Sequence, residues 1–118
     1  MRLCCEIAQK FNDSLDLQVE MGNKQGIAEC LAGIAGLAVV CGQVKQGIRL
    51  FAATNAFLNE VKVPLGPADR AEWERDLSTA RDRLDELEYQ EQWQLGEVYS
   101  FQQMISSAKK FAGSMIDF

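Results

Sequence analysis

The sequence predicts an all-α protein of about six helices arranged as antiparallel hairpins. Three observations carry this expectation. Apolar residues recur at three- and four-residue spacing along most of the chain, the pattern of helices that each bury one face. Glycines and capping residues punctuate that pattern at helix-length intervals, as at Gly22-Asn23, Gly42 and Asp85. No stretch shows the strict alternation of a half-buried strand. Short connections make consecutive helices antiparallel neighbours.

Leu3, Ile7, Phe11, Leu15 and Val19 recur every fourth residue and define a first helix of about five turns. Gly22 is its expected stop, and Asn23 the expected cap of the next helix. The second helix runs from about Lys24 to Cys41. Ile27, Leu31, Ile34 and Ala38 form one stripe and Ala28, Ala32, Ala35 and Val39 an adjacent one, so it should be central and buried. Gly42 ends it. The third helix spans about Val44 to Val61, with Val44, Ile48, Phe51, Phe57, Leu58 and Val61 inward and Gly47 facing the second helix. The segment Lys62 to Pro67 then reads as a loop. Pro67 suits the first turn of a fourth helix, and Asp69 suits its N-terminal dipole. Trp73, Leu77, Ala80, Leu84 and Leu87 form a narrow seam there. A break is expected near Asp85, where Asp85 and Glu88 stand as a capping-box pair. Tyr89 and Trp93 restart the spacing and Gly96 is the expected stop. Ser100 and Gln103 make a second capping box for a last helix over about Phe101 to Ala112, with Met104, Ile105, Ala108 and Phe111 inward. The remaining residues should fray.

The stretch Gly26 to Phe51 is crowded with glycine and alanine. A phosphate-binding loop would need a Lys-Ser or Lys-Thr pair after the glycines, and none follows Gly33, Gly36 or Gly42. A membrane span needs roughly 20 apolar residues; the candidate, Gly26 to Val40, is shorter and carries Glu29. Close packing of neighbouring helices is the remaining explanation. It offsets the roughly 1 kcal/mol that each mid-helix glycine costs relative to alanine.

Composition narrows the function. The net charge of -5 argues against direct nucleic-acid binding, which needs a basic face. The acidity is concentrated: Asp69 to Glu97 holds ten acids and four arginines. A basic protein, or water, is the natural neighbour of that stretch. No histidine is present, which removes the commonest general base and metal ligand. The serines therefore have no Ser-His pair to activate them. Cys4, Cys5, Cys30 and Cys41 form no Cys-x-x-Cys motif and read as thiols of a reducing cytoplasm. Glu72 with Asp76, and Asp82 with Glu86, are spaced one turn apart. On an arginine-rich helix such pairs read first as a solvated face and second as a cation site. No catalytic residue, metal or cofactor is expected.

One resemblance extends this reading. From Ala28 onward, Leu31, Ile34, Ala35, Ala38, Gly42, Gly47 and Phe51 fall where the tetratricopeptide repeat places its large and small residues. Ala35 stands where that repeat usually has glycine and Gly47 where it has alanine. The longer run Gly22 to Ala38, Gly42 to Ala53 and Pro64 to Glu74, with Trp93 and Gly96 beyond it, resembles the C-terminal tetratricopeptide-like region of large bacterial signal-transduction ATPases and transcriptional regulators. The resemblance covers about Leu15 to Ala112. It implies a single domain over 1–118, a fragment of a right-handed superhelix, with repeat-like helices over 1–62 and capping helices over 67–118. It implies a helical scaffold alone, since neither an ATPase motif nor a helix-turn-helix is found.

The expected function is a non-enzymatic, cytoplasmic protein-interaction scaffold whose partner is a protein or peptide. The first helix of a repeat lines a concave face in that architecture, which maps here to Glu29, Ala32, Gly36, Val39 and Val40. Leu3, Ile7 and Phe11 are expected to have an uncovered side, and a homodimer would cover it. The alternatives are a small-molecule-sensing domain, with an apolar ligand between the Trp73 helix and the repeat pair, and a self-associating structural domain without a separate ligand.

Overall fold

A computed structural model describes residues 2–116, with side chains described over 5–115. Six helices follow one another: α1 (Arg2–Met21), α2 (Lys24–Val40), α3 (Val44–Val61), α4 (Pro67–Arg83), α5 (Glu86–Glu97) and α6 (Phe101–Ile116). No strand occurs among the described residues.

The helix boundaries follow from local chemistry. Gly22 and Gly42 end α1 and α2 in the left-handed region, at φ +69° and +90°, where glycine has no Cβ to clash. The Asn23 side chain accepts a hydrogen bond from the Gly26 amide at 3.2 Å. Asp85 accepts from the Glu88 amide at 2.8 Å, which supplies one half of the expected capping box; the Glu88 carboxylate turns to Lys45 of α3, at 3.6 Å. Ser100 and Gln103 complete theirs, each side chain bonding the other's amide.

Four helices form the body. α2 lies between α1 and α3, and α6 returns to pack against α1, α2 and α3. The two remaining helices sit outside: α4 lies on α2, and to a lesser extent on α3, and α5 lies on α3. The radius of gyration is 13.1 Å, that of a compact domain of this length. The core is centred on α2 and α3, where Leu31, Ile34, Val39, Ile48, Leu50 and Phe51 have no accessible surface. Thr54, also fully buried, satisfies its hydroxyl by donating to the Leu50 carbonyl at 2.7 Å.

Several expectations are corrected. Gly96 does not stop α5: it is buried one residue before the helix ends, against the backbone of α3. The last helix does not fray at Gly113. It continues to Ile116 because Phe111, Ala112 and Met115 pack on the core, and the Cys5 thiol donates to the Met115 carbonyl. Leu87, expected in the α4 seam, lies past the break and is 69% exposed. Val19, at the end of the α1 stripe, is also exposed. The end of α3 is made by Lys62, the one non-glycine residue with positive φ (58°) among the described residues. Asp82 and Glu86 fall on opposite sides of the α4–α5 break, and Glu86 pairs with Arg81 at 3.7 Å.

Candidate functional site

The two mid-helix glycines of α2 admit different neighbours. At Gly33 a Cβ would collide with the ring of Phe11 from α1. At Gly36 a Cβ would lie 3.2 Å from Cγ of Asp76 on α4, and closer to its carboxylate oxygen. Thus α1 and α4 both lean on the small-residue face of α2 without closing over it.

A groove of about 340 Å³ lies between the three helices. Its floor is apolar: Ile7 and Phe11 from α1, Ala32, Leu37 and Val40 from α2, and Trp73 from α4. Trp73 is 4% exposed and meets Phe51 edge-on, with ring centres 4.8 Å apart. That contact fixes the α4 wall to the core and forms the kind of T-shaped pair aromatic quadrupoles favour. Val40, by contrast, is 64% exposed, an unusual position for a valine on an otherwise covered helix.

The rim is acidic. Asp69, Glu72 and Asp76 fall at spacings of three and four on one face of α4, and Glu29 faces the same groove from α2. Among the described residues Arg75 is the only cation of the lining, and it pairs with Asp76 at 3.5 Å. Among the described residues the ion pairs leave Glu29, Asp69 and Glu72 without a cation.

Of the residues singled out in the sequence for partner binding, Glu29, Ala32, Gly36 and Val40 line this groove. Val39 does not. It has no accessible surface, its side chain faces Gly47 of α3, and its carbonyl accepts from Arg83 Nη1 at 3.0 Å. Ile7 and Phe11, assigned to self-association, are half-buried members of the same groove, and α6 also packs on α1. Leu3 lies outside the described side chains. The sequence offered the space between the Trp73 helix and the repeat pair only as an apolar-ligand alternative, and did not place Asp69, Glu72 and Asp76 on the rim of this groove. The signal available was the run of acids at helical spacing beside Trp73.

Other recesses include two of different character. One, about 860 Å³, lies between α3 and α6 and is lined largely by amide and hydroxyl side chains with Arg49 and Lys110. The other, about 330 Å³, is apolar and lined by Val19, Ile27, Phe57, Val61 and Phe101 among others.

Among the described residues no three Cys, Asp or Glu side chains converge as a metal site. Burial, reinforced by the neighbouring Glu29 charge, pushes the Cys30 thiol up to about 11, the reverse of what a nucleophilic cysteine requires. No helix among the described residues is long and apolar enough to cross a membrane. No protein-family model matches the chain, and no curated protein or solved structure matches it.

Proposed function

We propose that the chain is a non-enzymatic protein-interaction scaffold built on a tetratricopeptide-like α2–α3 hairpin, whose partner docks between α1, α2 and α4. The observation that carries this reading is the groove itself, where Glu29, Ala32, Gly36 and Val40 meet Ile7, Phe11 and Trp73 on one apolar-floored surface. Its dimensions suit the side chains of one face of a helix or of an extended peptide. The α2–α3 hairpin, with its small residues at the crossing, supports the repeat assignment. The resemblance to bacterial signalling ATPases and regulators supports a cytoplasmic signalling context.

The test is site-specific photo-crosslinking in the native host. A photoreactive side chain at Val40 should capture a discrete protein, and one at Leu87 on α5 should not. Equal capture at both positions, or none at Val40, would remove the scaffold reading.

A second reading has its own observation. The groove volume, about 340 Å³, falls at the lower end of the range for small-ligand pockets, roughly 300–1,000 Å³, and its floor is apolar. A metabolite that raises the melting temperature of the wild type, and not of Ala32→Trp, would make the domain a small-molecule sensor instead.

A further inference from the structure

We infer that the occupant of the α1/α2/α4 groove is a cationic amphipathic helix of a partner protein. This deepens the scaffold reading and rests on it.

The argument is one of charge and dimension. The floor is apolar, so an occupant must bring apolar side chains to gain from burial. The walls carry Glu29, Asp69 and Glu72, which among the described residues have no cation of their own. An occupant without positive charge would cover or crowd these carboxylates and desolvate them without compensation. Lysine or arginine flanking the apolar face answers both demands, because the long stems cover apolar surface while the charged ends reach the rim.

The spacing selects a helix. Glu29 to Val40 spans about 16 Å of α2 at 1.5 Å per residue, and the three α4 acids lie along about 10 Å at intervals of three and four residues. A helix of about three turns has matching length. It presents apolar residues at i, i+3 or i+4, and i+7, and cations beside them at the same intervals. A groove of about 340 Å³ accepts one face of such a helix, whose full diameter is roughly 10 Å, and leaves the opposite face in water. The net charge of the whole chain, -5, adds long-range attraction for the same partner.

The test uses three labelled synthetic helices of equal length and apolar face, with lysine, glutamine or glutamate on the flanks, and fluorescence anisotropy as the readout. The lysine peptide should bind best, and its Kd should rise about tenfold or more between 50 and 300 mM NaCl as the rim charges are screened. Asp69→Lys with Glu72→Lys should weaken it about tenfold or more. Asp82→Lys with Glu91→Lys changes the net charge equally outside the groove and should cost much less. Val40→Asp adds an acid but removes an exposed apolar contact, so it should weaken binding, whereas attraction to charge alone would strengthen it. Circular dichroism and melting temperature confirm that each variant is folded.

If the glutamine or glutamate peptide binds as well and Ala32→Trp blocks it, the cationic assignment falls and the scaffold reading stands. If both charge reversals weaken the lysine peptide equally, the attraction is not local to the groove and the inference falls. If no peptide binds, both fall. If the free protein is a dimer that Ala32→Trp dissolves, a second copy fills the groove and the inference is overturned.

Discussion

Gly96 of α5 lies directly on the backbone of Arg49 in α3. A Cβ at position 96 would stand 2.8 Å from the Arg49 Cα and carbonyl carbon, and nearer still to the carbonyl oxygen. Backbone cannot swing aside as a side chain can, so α5 would have to move off α3. Gly96→Ala should therefore destabilise by about 2 kcal/mol or more, despite alanine's better helix propensity. At Gly113 a Cβ would meet nothing within 4 Å, so Gly113→Ala should stabilise by up to about 1 kcal/mol. Gly36→Ala should fall between them, since the obstacle is the Asp76 carboxylate, the mobile end of a side chain. Urea denaturation of the three variants measures the order.

Arg83, the last residue of α4, donates to the Val39 carbonyl in the final turn of α2. A cation at a helix C-terminus opposes the negative end of the dipole, and here it gives a second donor to a carbonyl that the Gly42 amide already reaches at 3.2 Å. Arg83→Met keeps the apolar stem and removes the donor, and should cost about 1 kcal/mol. The deficit should shrink at high salt, which chemical denaturation in urea at two ionic strengths would show.

Lys62 closes α3 in the left-handed region, at φ 58°, with its amide bonded to the Leu58 carbonyl at 2.8 Å. A side chain with a Cβ costs about 1 kcal/mol there. Lys62→Gly should raise the unfolding free energy by several tenths to about 1 kcal/mol. Lys62→Val should lower it.

The Cys30 thiol is pushed from its ordinary value near 9 to about 11. The unfolded chain thus releases this proton at lower pH than the folded one, and stability must fall as pH rises from about 9 to about 11. Burial raises Tyr89 as well, with Arg81 opposing and Glu86 adding to the shift, so it contributes in the same direction. Cys30→Ala should flatten the pH dependence over that interval, even though it leaves a smaller side chain in the core. Thiol alkylation at pH 8 should be slow at Cys30 until the protein is unfolded.

What was legible in the sequence was the local part. Gly22, Asn23, Gly42, Asp85 and Ser100 each carry their own stop or cap chemistry, and the corresponding boundaries agree to within a residue or two. Lys62 was not legible, because lysine does not announce a left-handed turn. The visible signal, Pro64, lies two residues on, where it restricts Val63 rather than Lys62. Gly96 was misread because a glycine that ends a helix and a glycine that lets two helices touch look alike in one dimension. The continuation of α6 depended on contacts with α1 at the opposite end of the chain. One wall of the groove, the small-residue face of α2, could be read from its composition. The other was legible only in outline, as a cleft beside the Trp73 helix, since only the packing of α4 on α2 brings the acids Asp69, Glu72 and Asp76 to its rim.

The return of α6 to α1 has a dynamic consequence. In a linear stack of helical repeats each unit rests only on its neighbours, and opening can start from a terminal unit. Here α1, α2, α3 and α6 brace one another in a ring, so releasing any one exposes surface on at least two others. Amide hydrogen exchange should accordingly report nearly equal protection along these four helices, with α4 and α5 opening at lower free energy.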